Sequence, residues 1–442
     1  MVWSHRTTLA ALAGGLLLAG TALAAPAAQA AAPAQPGLYG SADPTYDGAF
    51  RQSLALLAHE AAGSTPPAAA VAWLVGQQCA DGGFQAFRPS TSVACTKSDP
   101  NAYTGEDTNS TALAALALRS VGKDAEADRA IAWLEKARAA DGGFPYFVGG
   151  ASDANSTADV LIALNGAGAP TSSTTPARHF LESLQLGCDG AATDEDGAIA
   201  FQDYGSGLVA NDAATVQSLV ALAGSGLPVA PGSVSSTAPR ATCPTPVPAP
   251  AALPATDLAA GYAARLLDAY SGAVPQLDYS TGTRTPGSVS AGDTAWAVLG
   301  LTAAGFGSAQ RDAALATVAA KAKAAKDDPG LLALAALATH AAGGSSSAVS
   351  AYVVRIDATM RAAATPSASP TPTHSATPTA SASTTASASS SASSDPSTSQ
   401  NAAELPPTGA TPLTPALAVG AAVLVLVGLV LLLGVRREGS HS

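Results

Sequence analysis

The sequence predicts an all-α ectodomain built of repeated helical hairpins, and three observations predict it. The string Ala72-Trp73-Leu74 followed by Asp81-Gly82-Gly83-Phe84 recurs 60 residues later as Ala132-Trp133-Leu134 and Asp141-Gly142-Gly143-Phe144. The string Asp107-Thr108-Asn109-Ser110-Thr111-Ala112-Leu113 recurs after 46 residues as Asp153-Ala154-Asn155-Ser156-Thr157-Ala158, so the first unit carries an insertion. Hydropathy also alternates along the chain. Segments with one polar face are followed by segments that are small and apolar all round, as expected of half-exposed helices alternating with buried ones.

Taken from the start, His5 and Arg6 precede an apolar run from Thr8 to Ala25, and Ala28-Gln29-Ala30 fits a small-residue cleavage site. Residues 1–30 therefore read as a secretory signal peptide, cut after Ala30.

The ectodomain spans 37–363. Helices are expected at 50–62, 65–78, 108–121, 124–139, 155–166, 175–186, 211–224, 256–270, 292–304, 308–325, 330–342 and 346–362. In each unit the first helix carries Trp or Phe on one face and stops at Asp-Gly-Gly, where glycine can take the left-handed conformation that ends a helix. The second starts at Asp, Asn, Ser or Thr, which are good N-caps, and runs almost wholly apolar. Weaker copies follow. Phe180-Leu181 takes the Trp-Leu place, while Asn211 to Thr215, Asp293 to Trp296 and Asp328 to Gly330 take the place of the helix start. Twelve alternating helices can close into a ring of six inside and six outside, the first pairing with the last to seal it. The inner-helix N-termini would then gather at one mouth, ringed by Asp107, Asn109, Asp153, Asn155, Asn211 and Asp293. These residues read either as helix caps alone or as a polar rim over an apolar cavity, the usual construction of a small-ligand site.

Four cysteines lie in this domain, Cys79, Cys95, Cys188 and Cys243. An even number in an exported domain implies disulfides, and four allow three pairings. Cys79 with Cys95 and Cys188 with Cys243 are the expected pairs, because each brackets one insertion between helices.

Residues 364–404 are nearly all Ser, Thr, Ala and Pro. Such a segment has no apolar periodicity and is expected to be a disordered stalk, with a reach on the order of 100 Å. It leads to Leu405-Pro406-Pro407-Thr408-Gly409, an apolar stretch at 415–435 long enough to span a bilayer as one helix, and a tail at 436–442 opening with Arg436-Arg437. The three parts in this order resemble the cell-wall sorting signal of Gram-positive surface proteins. The resemblance implies that a sortase cleaves the Thr408–Gly409 bond and joins Thr408 to peptidoglycan. The protein would hold a membrane span before sorting and be covalently wall-attached afterwards. Alanine abundance together with this signal looks like an actinobacterial style of sequence.

The whole chain of 442 residues carries a net charge of −11, with 12% charged, 47% hydrophobic and 5% aromatic residues. That balance argues against a nucleic-acid partner and against a wholly disordered chain. The low aromatic fraction is expected to limit any aromatic-lined site.

The paired DGGF turns and the repeated helix starts resemble the α/α-toroid superfamily, the prenyltransferase and squalene oxidase repeat proteins. Its members include terpenoid cyclases, protein prenyltransferase β-subunits, complement thioester domains and cobalamin carriers. The resemblance implies an α6/α6 toroid but no particular chemistry. A cyclase acid would need a D-x-D-D string, and Asp194-Glu195-Asp196-Gly197 lacks the last Asp. A prenyltransferase zinc set needs Asp, Cys and His together, whereas His59, His179 and His340 stand beside no cysteine. Gly76-Gln77-Gln78-Cys79 does not make a thioester motif. The second domain of a cobalamin carrier is replaced here by the stalk. The acidic stretch with Asp99, Asn101, Glu106 and Asp107 lacks the twelve-residue calcium-loop pattern and reads as a solvated loop. No metal and no cofactor are expected. The expected role is therefore binding or display without catalysis, with a small ligand in the ring cavity. An enzyme acting on an isoprenoid and a structural spacer or adhesin are the alternatives.

Overall fold

The computed structural model describes residues 35–187, 194–240, 253–278, 283–325 and 328–361. The leader, the stalk, the LPPTG motif, the 415–435 segment, Cys188 and Cys243 lie outside the described residues. Among the described residues no helix is long and apolar enough to cross a membrane.

Those residues form twelve α-helices and three short two-stranded antiparallel ladders. The helices are α1 (Gly48–Ala62), α2 (Ala68–Gln77), α3 (Thr108–Ser120), α4 (Asp124–Ala137), α5 (Ala154–Gly166), α6 (Thr171–Ser183), α7 (Asp212–Leu222), α8 (Ala255–Ala269), α9 (Ala291–Ala304), α10 (Ser308–Ala324), α11 (Pro329–Ala341) and α12 (Ser346–Ala358). Ends fall within three residues of the sequence expectation except in α6, which begins at Thr171 rather than 175, and α12, which ends at Ala358 rather than 362. Pro176 lies inside this helix, not in the first turn where proline is most at home.

Burial separates the helices into two kinds. In α3 every residue from Thr108 to Leu118 is buried, and in α7 every residue is. By contrast α4 buries only Ala127, Ala130, Trp133, Leu134 and Ala137, α10 only Ala314, Val318 and Ala322, and α12 only Val349, Val353 and Ile356. Those are single stripes at helical spacing. The buried helices pack on one another: α1 on α3, α3 on α5, α5 on α7, α7 on α9, α9 on α11, and α11 on α1. Each also packs on the one-faced helix that follows it.

One joint recurs at four of the steps. Gly82 (φ +108°) and Gly142 (φ +89°) follow a one-faced helix in the left-handed region, and a Cβ on either would stand 2.3 Å from Arg129 O or 2.8 Å from Pro176 O. Each turn therefore presses backbone to backbone against the next one-faced helix, and only glycine fits. Gly197 and Gly272 hold the same place against α8 and α10. The second glycine of each DGG, Gly83 or Gly143, lies under an aromatic ring of the next unit, where an added Cβ would be 2.7 Å from Trp133 or Phe180.

The residue after the turn then pairs with the cap of the next buried helix. The ladder of β1 (Phe84–Gln85) and β2 (Glu106–Asp107) sets Phe84 opposite Asp107. That of β3 (Ile199–Ala200) and β4 (Ala210–Asn211) sets Ile199 opposite Asn211, and that of β5 (Val274–Asp278) and β6 (Thr283–Ser290) sets Val274 opposite Ser290. The N–H of Phe84, Phe144, Ile199 and Val274 donates to the Oγ1 of Thr111, Thr157, Thr215 and Thr294, at 2.9, 2.9, 2.8 and 3.0 Å. The threonine of the repeat is therefore a latch four residues past the cap. This register corrects one expectation. Ser290, not Asp293, caps α9, because Ser290 stands four residues before Thr294 as Asp107 does before Thr111; the Asp293 N–H donates to Ser290 Oγ at 3.2 Å.

The two ends of the described chain meet. The Gly37 N–H donates to Arg361 O at 3.1 Å, and the Arg361 N–H to Leu38 O at 2.8 Å. Beneath this clasp, the hydroxyl of Tyr39 donates to Asp357 Oδ1 at 3.1 Å, and His59 Nε2 lies 3.1 Å from the same oxygen, so α1 and α12 share one half-buried polar knot.

Candidate functional site

A cavity of about 650 Å³ opens over the N-termini of α3 and α5. Six aromatic residues line it: Tyr46, Phe87, Tyr103, Tyr146, Phe147 and Phe201. The expectation of few aromatics at any site therefore fails here, because residues scattered through the sequence converge in space. Tyr146 and Phe147 meet edge to face with centroids 4.6 Å apart, and Tyr103 meets Phe147 likewise at 6.3 Å. Tyr46 stays 70% exposed at the edge.

One wall comes from the insertion between α2 and α3. Its base is closed by the Cys79–Cys95 disulfide, the one expected pair that falls within the described residues. Arg88, buried, donates to the carbonyls of Gly76, Gln77 and Gln78 at the C-terminus of α2 and to those of Thr91 and Val93 in the loop. It thereby satisfies helix-end carbonyls that would otherwise be orphaned. Asp99 Oδ1 accepts from the N–H groups of Asn101 and Ala102 and turns the loop back. Val148 N–H donates to Ser98 Oγ at 2.7 Å, tying this wall to the opposite one. Lys97 pairs with Asp81 and, at 3.5 Å, with Glu106. Asp99, Asn101, Glu106 and Asp107 thus serve different contacts and do not converge as calcium ligands would.

The floor carries two of the expected rim residues. Asp107 Oδ1 caps α3 by accepting from the Ser110 N–H at 2.7 Å, and Asp153 Oδ1 caps α5 by accepting from the Ser156 N–H at 2.7 Å. Asp153 Oδ2 accepts from the Ser156 hydroxyl at 2.8 Å, whereas Asp107 Oδ2, buried, has no hydrogen-bond partner. Burial pushes Asp107 up to about 7 and Asp153 up to about 6, in both cases against the pull of nearby backbone N–H groups. Behind them on α5, burial pushes Asp159 well above the ordinary carboxylate range; Gln217 donates to its Oδ1, and the charges of Asp153 and Asp107 raise it further. Burial and the same three carboxylates raise the Tyr146 hydroxyl. Burial likewise holds Glu106, beside Asp107, up to about 7.

The other rim candidates lie elsewhere. Asn109 Oδ1 accepts from Thr108 Oγ1, and Asn155 Nδ2 donates to Gln217 Oε1 at 2.6 Å. Asn211 caps α7 through the Ala214 N–H at 2.9 Å. Neither Asn211 nor Asp293 lines this cavity. Sequence reasoning missed the aromatic walls and Gln217. It also missed a separate polar knot in which Arg284 meets both carboxylate oxygens of Asp212, at 2.8 and 2.9 Å, and the Tyr262 hydroxyl at 3.0 Å. An arginine seven residues before a helix cannot be matched to its partner by spacing alone. Asp194 and Asp196 sit in the turn before β3, where the Asp196 carbonyl accepts from Arg265.

No family model matches the chain, and no curated protein does. Among solved structures, a crystal structure of a protein from Actinoplanes is similar over 63% of this chain and 82% of its own, at 17% identity and a TM-score of 0.29.

Proposed function

We propose that the chain is a surface-displayed binding module: an exported α6/α6 toroid of the prenyltransferase and squalene oxidase repeat kind, raised on a stalk and joined to peptidoglycan through Thr408. A small ligand occupies the cavity over α3 and α5. The observation that carries this reading is the cavity itself, walled by six aromatic side chains over a buried carboxylate with one unpartnered oxygen. Apolar walls with a few convergent polar groups are the usual build of a small-molecule site. The packing order of the buried helices, which returns from α11 to α1, supports the toroid. The Cys79–Cys95 bond supports an oxidising compartment.

Native mass spectrometry of the protein recovered from its own cells tests the binding role. A discrete added mass that is lost on denaturation is expected, and lost again in Phe147→Ala. A bare mass throughout sinks it in favour of a spacer or adhesin. Anchoring is tested separately, since Thr408→Ala is expected to move the protein from the wall fraction to the membrane fraction.

A second reading, an enzyme protonating an isoprenoid, draws on the raised Asp107 carboxyl in its aromatic surround. We favour binding, because a carboxyl at about 7 is a weaker acid than an ordinary one, and alkene protonation calls for a stronger one.

A further inference from the structure

Resting on the reading of this cavity as a ligand site, we propose that its ligand is a small organic cation. It bears a primary ammonium on an apolar stem, with the ammonium donating to Asp107 Oδ2 and the stem lying against Phe87, Tyr146 and Phe147.

Three features of the site point to this chemistry. The first is the lone acceptor. Asp107 is 1% exposed and lines the cavity, and its Oδ2 makes no hydrogen bond of normal geometry, although the Ser110 hydroxyl and the N–H groups of Asn109 and Ala86 stand near the carboxyl. A buried acceptor left open is costly, so a ligand that supplies an N–H there gains more than one that does not. The second is the absence of a neighbouring cation. Asp107, Asp153 and Asp159 stand on two helices in contact, all three buried, and none forms an ion pair with a described residue. Lys97 is engaged by Asp81 and Glu106, and Arg284 by Asp212. A neutral hydroxyl would fill the open acceptor without favouring its ionised form, whereas an ammonium supplies both the donor and the positive charge that lets a carboxyl held up by burial release its proton.

The third feature is the walls. Among the described residues, Asp107, Asp153 and Asp159 do not gather closely enough to ligate one ion. The Cys79–Cys95–Glu106 group that does gather has its sulfurs consumed by the disulfide. A metal ion is therefore poorly served. Aromatic side chains, by contrast, attract a cation and shelter its hydrocarbon part together. The net charge of −11 draws cations toward the molecule as a whole.

The test is isothermal titration of the full chain with 2-phenylethylamine, its neutral isostere 2-phenylethanol, and tetramethylammonium, a cation without an N–H. The amine is expected to bind at least about tenfold tighter than either of the others, the increment of a hydrogen bond to a charged group. Asp107→Asn is expected to erase that advantage, bringing the amine down to the affinity of 2-phenylethanol. Asparagine is an equally good N-cap, so α3 stays capped, and a melting temperature no lower than that of the parent checks it. Phe147→Ala is expected to weaken amine and alcohol alike. If amine and alcohol bind equally and Phe147→Ala weakens both, the cationic class is wrong while the cavity remains a ligand site. If tetramethylammonium matches the amine, or Asp107→Asn leaves the amine unaffected, the assigned contact is wrong. If none of the three binds saturably, this proposal and the cavity reading fall together.

Discussion

The amide of Phe144 donates to the hydroxyl of Thr157 across 2.9 Å of fully buried interior, thirteen residues along the chain. This bond ties the turn that ends one helix to the first turn of the next buried helix. Thr157→Val keeps the shape and removes the acceptor, so the Phe144 N–H is stranded. The expected cost is about 1–3 kcal/mol in urea unfolding. Thr157→Ser keeps the oxygen and should cost clearly less; equal losses would mean that the methyl group, not the latch, matters.

Gly143→Ala places a methyl group 2.7 Å from the Phe180 ring. Overpacking of this kind costs roughly 1–3 kcal/mol. Phe180→Leu in the same chain should return part of that loss, giving a coupling in a double-mutant cycle that independent sites lack.

Burial raises Asp107 and Glu106 to about 7, and Asp153 and Asp293 to about 6, above the unfolded carboxylate range. The folded state then holds protons that the unfolded chain has released. The stability these groups give is complete below about pH 4 and is lost as the pH rises through 6 and 7. His59 runs the other way, because burial holds its imidazole below the ordinary value and stability is lost as the pH falls below about 6.5. Four carboxyls against one imidazole predict a lower urea midpoint at pH 8 than at pH 5. Asp107→Asn should flatten that slope, and a slope unchanged by the substitution would refute the assignment.

Cys79 and Cys95 close a loop with a sequence separation of 16 at the base of the cavity wall. Replacing both with serine is expected to cost about 2–4 kcal/mol. It should also speed proteolysis between residues 86 and 105, which a merely global loss would not confine to that segment.

The sequence made the helices legible because their punctuation is strong: Asp-Gly-Gly stops, Asp or Asn starts, and Trp73, Trp133 and Phe180 on the one-faced members. It showed Asp107 and Asp153 at two helix starts but not that they share a floor. Thr111 and Thr157 read as part of the caps, since a latch is visible only when its donor thirteen or more residues away is in place. Gly83 and Gly143 read as turn residues, whereas their partners are rings in the following unit. The β5–β6 hairpin was missed because its residues, rich in Thr, Ser, Gly and Pro, carry a turn signal rather than an apolar alternation. The aromatic walls were illegible for a related reason: Tyr46, Phe87, Tyr103, Tyr146, Phe147 and Phe201 obey no common spacing.

The clasp between residues 37–40 and 359–361 has a mechanical consequence. Chain entering at Gly37 and chain leaving at Arg361 emerge side by side, so a pull on both at once loads three backbone hydrogen bonds and the Arg361 guanidinium, which donates to the carbonyls of Gly40 and Ala42. The helix pairs elsewhere bear none of that tension until the clasp parts. A pull on the downstream chain alone is passed through α12 to the Asp357–His59–Tyr39 knot. The clasp is therefore the fuse of the fold under shear, and a break there frees α12 before any other helix.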